Sequence, residues 1–414
     1  MNTPSTHNKK TSRRPSTCRH AHISISCDSQ APSMRNSQCA GKVVGQDDFF
    51  SKEMSVMMAG FAVLLMMTCH FFMYPHWLTA GVNWSSSLGY AGKITTELMG
   101  TFGGICVRIF ALMSGYALMM NPKAYGTWRK RFRRLFKFLF AYWMVNALFL
   151  IIGYLNGDTM PGINELFFNM LGLKTGPHEE WINVPFAWYV CYYIEFVLLT
   201  PILLWGFGSN RKVLDMAMAA TLVIIVYICR RIPCEVTNSL FPLLSTILGI
   251  LIAKYKIFDK LQRIVTGRLN WAILVSGIAL LIIIRYEVGN LNSAGGANWN
   301  FFMQIFLSVM AAVLILFSVE IFYRIHDWHI KNCLLLLGSL SMYLWFLHGI
   351  FFTGKNFMQP FIYSVREPIL ILILSTIVLL PVAWLLKGLQ NIMDNRFLTN
   401  RNLKSFKQAF TMIP

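Results

Sequence analysis

The stretch "AGFAVLLMMTCHFF", residues Ala59–Phe72, is almost wholly apolar up to its twelfth residue, His70. Similar apolar runs recur as far as Leu389, and runs of about 17 to 25 residues are long enough to cross roughly 30 Å of hydrocarbon. Only 13% of the chain is charged, against about 25% in soluble proteins. Runs this long and continuous favour helices over barrel strands, because a lipid-exposed backbone must satisfy its own hydrogen bonds. The sequence therefore predicts an all-α polytopic membrane protein.

About ten transmembrane helices, arranged around a polar cavity, are expected. The predicted spans are 54–74, 98–120, 135–155, 185–207, 213–229, 238–254, 270–286, 300–322, 332–353 and 368–388. The span at 238–254 has the weakest pattern, because Pro242 and Gly249 interrupt it.

The net charge of +19 is unevenly distributed along the chain. Ten spans place most Lys and Arg on one side, while Arg285 counts with the few on the other side. This bias follows the positive-inside rule and predicts a multi-pass protein of the inner (plasma) membrane with both termini cytoplasmic. Contacts with anionic lipids fit the same charge distribution, and no nucleic-acid partner is predicted.

The two ends of the chain differ from the membrane part. Residues 1–50 are rich in Ser, Thr, Asn and Arg and predict a disordered basic and polar tail, or an over-extended start. Residues 51–392 form the predicted membrane domain, and 393–414 a short basic cytoplasmic tail. The nine cysteines show no CxxC spacing, so neither a disulfide nor a metal site is predicted.

Ionisable residues within the spans are candidates for function, because each costs about 2.5 to 3.5 kcal/mol to insert. They are His70, Arg108, Glu195 and His348, with Arg134 and Lys137 at the start of the third span. The alternatives are a buried Arg108–Glu195 ion pair, a solvated basic flank and histidines that only hydrogen-bond between helices. Their occurrence in separate spans favours one shared polar cavity.

Five motifs resemble those of the acyltransferase 3 family of integral-membrane acyltransferases. "AGFAVLLMMTCH" is similar to its first-helix pattern of Arg-Gly-Ile-Ala, aliphatic residues and His, with His70 in register. "VRIFALMSGYAL" resembles V-x-x-F-F-x-x-S-G-[FY]-x-L, and "RRLFKFLFAYW" resembles the R-x-x-R run that opens the third helix. "AWYVCYYIEFVLLTPIL" resembles the W-[FY] helix that ends in Pro, and "LGSLSMYLWFLHG" the late G-x-x-S-x-x-x-Y-x-x-H element. The five motifs occur in the family's order.

The sequence departs from the family pattern at three positions. The first-helix Arg is replaced by Ala59, and Lys137 takes the second R-x-x-R position, which removes bidentate phosphate geometry. The Gly usual near Glu195 is absent. Arg108 is a candidate for supplying the charge that Ala59 lacks.

The resemblance implies transfer of an acyl group, usually acetyl, from cytoplasmic acyl-CoA to a hydroxyl of a cell-surface or exported polysaccharide or a lipid-linked saccharide. Acyl-CoA, acetyl-CoA in particular, would be a co-substrate, and no bound cofactor is expected. The candidate donor-binding residues are Arg131, Arg133, Arg134, Lys137 and Arg108. The candidate catalytic residues are His70 as general base or acyl carrier, His348 as its assistant, and Ser114 and Tyr116 as oxyanion donors. The candidate substrate contacts are Trp188, Tyr189 and Glu195.

Two other functions also fit intramembrane His, Arg and Glu. One is a proton-coupled secondary transporter of a small polar solute, although no internal repeat or paired interrupted helix is visible. The other is a non-catalytic scaffold, which would not need histidines in register with an acyl-transfer motif. The long loop 156–184 contains "INELFFNMLGL", which predicts either an interfacial helix that contacts the acceptor or a plain amphipathic surface segment.

Overall fold

The computed structural model describes residues 49–73, 84, 89–155, 157, 160–172, 188–209, 211–229, 240–265, 270–294, 297–325, 327–352 and 358–397. By its contacts the chain divides into two units, Met1–Gln46 and Asp47–Pro414, and every helix given below belongs to the second. Most of the two predicted tails lies outside the described residues.

Helices make up nearly all of the described part of the chain. They are α1 Lys52–Phe72, α2 Gly89–Gly103, α3 Cys106–Met120, α4 Trp128–Leu155, α5 Ile163–Met170, α6 Trp188–Gly206, α7 Lys212–Cys229, α8 Phe241–Lys254, α9 Ile257–Val265, α10 Trp271–Ala294, α11 Ala297–Arg324, α12 Trp328–Ser339, α13 Ser341–Leu347, α14 Met358–Tyr363 and α15 Pro368–Phe397. Short 3₁₀ turns cover Pro122–Ala124 and His348–Phe351.

Eight of these stretches are long and apolar enough to cross a membrane, with the pair α2–α3 counted as one span. Two further spans are broken: α8 and α9 meet at 69°, and α12 and α13 at 67°. The total among the described residues is ten if each bent pair is one span, which confirms the predicted all-α polytopic fold. Two predicted spans, 238–254 and 332–353, thus belong to bent pairs rather than to straight helices.

Helices α3 and α8 pack with their backbones in close contact. A β-carbon on Gly115 would collide with the Thr246 carbonyl oxygen, and one on Gly249 would collide with the Leu112 carbonyl oxygen. The Thr246 hydroxyl also lies 3.3 Å from the Ala111 carbonyl oxygen across the same contact. Small residues that allow this approach are typical of helix pairs in membranes, where dispersion and interhelical hydrogen bonds drive association.

Glycines also allow close backbone contact between α1 and α12. A β-carbon on Gly60 would collide with the Leu334 carbonyl oxygen, and one on Gly338 with the Val56 carbonyl oxygen. Just beyond Gly338 the helix ends, the backbone turns at Leu340, and α13 leaves at a steep angle. This bend carries the chain after α13 toward the C-terminal end of α1.

The folded unit begins slightly before the predicted boundary at residue 51. Phe49 is fully buried, its ring lies 4.7 Å from that of Phe258, and its backbone N–H donates to Asp259 Oδ1 at 3.1 Å. Phe49 and Phe50 therefore belong to the membrane domain rather than to the tail.

The long loop 156–184 contains the predicted short helix. α5 ends against α4, where the Tyr142 hydroxyl donates to the Asn169 carbonyl oxygen and the Trp143 indole donates to the Met170 carbonyl oxygen, each at 2.8 Å. Phe167 and Phe168 on α5 are exposed, as an interfacial amphipathic helix requires.

Candidate active site

Two histidines that are far apart in sequence meet at the end of α1. His70 lies in the last turn of α1 and His348 begins the 3₁₀ turn after α13. His70 Nδ1 and His348 Nε2 are 2.7 Å apart, and the two rings are nearly parallel, with centroids 4.7 Å apart. His348 is fully buried while His70 keeps some exposure, so His70 is the imidazole that a substrate can reach.

The position of His70 is fixed by the chain that follows His348. The Tyr363 hydroxyl, on α14, donates to the Phe71 carbonyl oxygen at 2.9 Å. This bond satisfies a carbonyl group that the helix end would otherwise leave without a partner. The end of α1 that carries His70 is thus bonded to α14, a helix that follows His348 in the chain.

An aromatic cavity of about 180 Å³ opens among α3, α4, α6 and α13. Its lining includes Phe110, Ser114, Tyr189, Tyr193, Trp345 and Phe346. Trp345 lies three residues before His348 and is 4% exposed, and its Nε1 has no hydrogen-bond partner among the described residues. An indole N–H in such a place usually has a partner, so this donor is available to a ligand in the cavity.

Ser114 and Tyr189 are the two predicted site residues that line this cavity. The Ser114 hydroxyl already donates to the Phe110 carbonyl oxygen at 2.8 Å. Sequence reasoning missed Tyr193, Trp345 and Phe346 as lining residues. The signal available in the sequence was that each is aromatic and lies within about one helical turn of a predicted site residue.

Tyr116, Trp188 and Glu195 do not appear in the lining of the cavity. The Tyr116 ring packs 5.1 Å from that of Phe50, near the start of the folded unit. Trp188 packs against the core with its ring 6.2 Å from that of Tyr189, and Glu195 lies partly buried further along α6.

Arg108 does not form the ion pair with Glu195 that the sequence left open. Its Nη2 donates instead to Gln304 Oε1 on α11. Its Nη1 is buried and has no hydrogen-bond partner among the described residues. A second guanidinium, that of Arg285, is among its electrostatic neighbours.

Arg285 lies within α10, inside the predicted span 270–286 and near the end that the charge distribution assigns to the outer side. Its Nη2 lies 3.6 Å from the point that a β-carbon on Gly104 would occupy, and Cys69 Sγ lies 3.6 Å from the same point. Cys69 directly precedes His70, so this guanidinium belongs to the surroundings of the histidine pair.

The predicted basic residues cluster at the N-terminal end of α4. The Arg134 guanidinium lies 4.4 Å above the Tyr125 ring, and the Arg131 guanidinium lies 5.7 Å from the Trp128 ring. Arg133 is exposed. Burial raises the pKa of Tyr125, although Arg134 opposes this effect, so the phenol stays protonated at neutral pH.

Lys137, the second basic residue of the R-x-x-R-like run, is already paired. Its ammonium forms an ion pair with Asp394 on α15, and the Gln390 amide donates to the Lys137 carbonyl oxygen at 2.6 Å. Lys137 therefore ties α4 to α15, and Arg131, Arg133 and Arg134 are the cations of the cluster without a carboxylate contact in the described structure.

Comparison with known proteins identifies the family. No match to the chain was found among curated proteins or among solved structures. The family model for the acyltransferase 3 acyltransferase domain, however, matches residues 58–388. This range contains both histidines, the cavity and the basic cluster, and it covers most of the chain. The chain therefore belongs to the acyltransferase 3 family and is a multi-pass membrane acyltransferase.

Proposed function

We propose that this protein is an O-acyltransferase that moves an acyl group, acetyl in the first place, from cytoplasmic acyl-CoA to a hydroxyl of a cell-surface or exported polysaccharide. The observation that carries the proposal is the 2.7 Å contact between His70 Nδ1 and His348 Nε2 inside the acyltransferase domain. A partly exposed imidazole held by a buried one is suited to general base catalysis.

The roles of the two rings follow from their exposure. In the tautomer in which His70 Nδ1–H donates a hydrogen bond to His348 Nε2, His70 Nε2 carries a lone pair. It takes the proton of the acceptor hydroxyl as the oxygen attacks the thioester carbon. A carbon–oxygen bond forms, the carbon–sulfur bond breaks, and the proton on His70 passes to the departing CoA thiolate. His348 orients His70 throughout.

The donor is polyanionic, and its phosphates need cations near the membrane surface. Arg131, Arg133 and Arg134 would supply them at the cytoplasmic end of α4, because arginine binds phosphate in a bidentate manner. Lys137 contributes less because Asp394 already neutralises it.

The aromatic cavity would hold the acyl group and the thioester. Its apolar walls suit an acyl chain, and the Trp345 indole is the free donor that we assign to the thioester oxygen as negative charge develops there. Ser114 would join it only if its hydroxyl left the Phe110 carbonyl oxygen. Trp188, Tyr189 and Glu195 remain candidate contacts of the acceptor.

Radiolabelled acetyl-CoA tests this function in membrane vesicles that contain the protein and the host's glycan. We expect the label to appear covalently on polysaccharide or on a lipid-linked saccharide. Uptake of a solute that needs no acyl donor would instead support the transporter. The absence of both labelling and uptake would support a scaffold.

A further inference from the structure

Arg108 on α3 and Arg285 on α10 are two positive charges inside the membrane domain that interact electrostatically. A guanidinium remains charged under all ordinary conditions, and each one costs about 2.5 to 3.5 kcal/mol to place at membrane depth. Two adjacent like charges also repel each other. An arrangement with this cost needs a compensating interaction.

The surroundings of Arg108 supply only part of that compensation. Among the described residues its side chain is bonded to the neutral Gln304, and its other electrostatic neighbours are Arg285, Tyr192 and Cys106. No carboxylate is among them. One of its terminal nitrogens, Nη1, is buried without a hydrogen-bond partner in the described structure. A buried donor on a charged group is expected to have a partner, so a ligand with acceptor oxygens fits this position.

The position of Arg285 connects this pair to the histidines. Its guanidinium nitrogens lie 3.6 Å from the β-carbon position of Gly104 and 3.3 Å from that of Gly289, so two glycines leave room for it. Cys69 Sγ lies 3.6 Å from the same Gly104 position, and His70 is the residue after Cys69. Arg108, Arg285, Gln304 and His70 all keep partial exposure, so none of the four is closed off from a ligand.

We propose that Arg108 and Arg285 together bind one anionic group, a carboxylate or a phosphate, of a substrate that reacts at His70. The anion would accept hydrogen bonds from both guanidiniums and relieve their mutual repulsion. Gln304 fixes the orientation of Arg108 for this contact. The inference rests on the proposed acyl transfer, which it extends by assigning a charge to the substrate.

Two substrates could carry the anion. It is either an acidic group of the acceptor, such as a uronic acid carboxylate or a lipid-linked phosphate, or the terminal carboxylate of a dicarboxylic acyl group on the donor. Both present the same chemistry to the arginines. Charge-assisted hydrogen bonds of this kind are stronger than hydrogen bonds to a neutral analogue.

A binding measurement tests the site without any need for acyl transfer. The melting temperature of the full-length protein in detergent is measured with D-glucuronate, succinate, pyrophosphate or neutral D-glucose at constant ionic strength. We expect at least one anion to stabilise the wild type more than glucose does. Arg108→Gln and Arg285→Gln should lose this difference, while Arg263→Gln, at an exposed position on α9, should keep it. Equal shifts by anions and glucose, or shifts unaffected by the two substitutions, would overturn the site.

An activity measurement identifies the source of the anion. Transfer of labelled acetyl from acetyl-CoA to p-nitrophenyl glucuronide is compared with transfer to p-nitrophenyl glucoside, and acetyl-CoA is compared with succinyl-CoA. Loss of about tenfold in the preference for glucuronide in Arg108→Gln or Arg285→Gln assigns the anion to the acceptor. A similar loss in the preference for succinyl-CoA assigns it to the donor. Equal losses for all substrates would reduce the arginines to a structural role and overturn the inference.

Variants that keep the charge cover the case in which glutamine prevents folding. Arg108→Lys and Arg285→Lys retain the attraction but not the bidentate geometry, so they should bind the same anion more weakly than the wild type. Lysine variants that fold normally and show no anion-dependent stabilisation would also reject the proposal. If no acyl transfer occurs with any acceptor, the proposed function fails while the binding result still stands.

Discussion

The difference in burial between the two imidazoles gives each a separate task at the residue scale. His348 is fully buried and His70 partly exposed. In the proposed mechanism His348 is therefore a positioning residue, and His70 is the ring that the acceptor hydroxyl would approach. The proposed mechanism uses the tautomer in which His70 Nδ1–H donates to His348 Nε2, because this leaves the lone pair on His70 Nε2.

His348→Phe keeps an aromatic ring in the buried space but removes the hydrogen-bond partner of His70. We expect kcat to fall about tenfold or more with little change in KM for acyl-CoA, because an orientation effect acts in the transition state. His348→Gln should restore part of the rate, because an amide can still accept from His70 Nδ1. A rise in KM with kcat unchanged would instead indicate that His348 takes part in substrate binding.

Trp345→Phe tests the indole donor that we assign to the thioester oxygen. The substitution keeps the apolar wall and removes only the indole N–H, so kcat should fall on the order of 10² as expected for one oxyanion donor. Trp384→Phe, at a position that is 70% exposed on α15, is the matched control and should leave the rate unchanged. Equal rates for the two variants would exclude the Trp345 indole from catalysis.

Much of the candidate site could be predicted from residue type, but its contacts could not. His70 and His348 stand out because ionisable rings in apolar runs are costly. That they touch depends on the bend at Leu340, for which the run "LLLLGSLSMYLWFL" gives little warning. Lys137 matched a motif position, yet its ion pair with Asp394 arises from a helix more than two hundred residues away.

At the scale of elements, glycines decide which helices pack closely. The α3–α8 contact matters most for function, since α3 carries both Arg108 and Ser114. Gly249 and Gly115 leave no space for a β-carbon, because the carbonyl oxygen of the facing helix occupies it.

Gly249→Ala should therefore push α3 away from α8. We expect a loss of about 1 to 3 kcal/mol in stability, as for other overpacked cores, and a lower melting temperature in detergent. Gly388→Ala on α15 is the control, because nothing lies within 4 Å of its β-carbon position and alanine favours a helix. Comparable melting temperatures for the two variants would show that the α3–α8 contact is looser than described here.

The elements were easier to predict than their breaks. Length and hydropathy identify the spans because crossing the bilayer needs a minimum apolar length. The 67° break at Leu340 lies within sequence that remains apolar, so composition hardly marks it, whereas Lys254 and Lys256 stand at the 69° break. The end of a span is also hard to predict from composition: α10 continues to Ala294, beyond the predicted end at residue 286.

At the scale of the whole molecule, the excess of positive charge predicts one orientation. The positive-inside rule places both termini and the α3–α4 connection in the cytoplasm and the α4–α6 connection outside. In this predicted orientation, the proposed acyl-CoA donor would reach the arginines of α4, and the proposed acceptor would reach the end of α1 that carries His70.

Reporter fusions measure this orientation directly. Alkaline phosphatase, which is active only outside the cytoplasm, should be inactive when fused after Pro122 or after Phe397 and active when fused after Gly157. Fluorescent protein fusions at the same positions should give the opposite pattern. Phosphatase activity at Pro122 would place the basic cluster on the wrong side for a cytoplasmic donor.

The most direct measurement for the central claim is acyl transfer by a His70→Gln protein present in the membrane at the wild-type level. Membranes that contain it are supplied with labelled acetyl-CoA, and the label on polysaccharide is counted beside His329→Gln, a substitution at an exposed histidine on α12. We expect a loss of about 10² to 10⁴-fold for His70→Gln and a normal rate for the control. Wild-type labelling by the His70→Gln protein would contradict it.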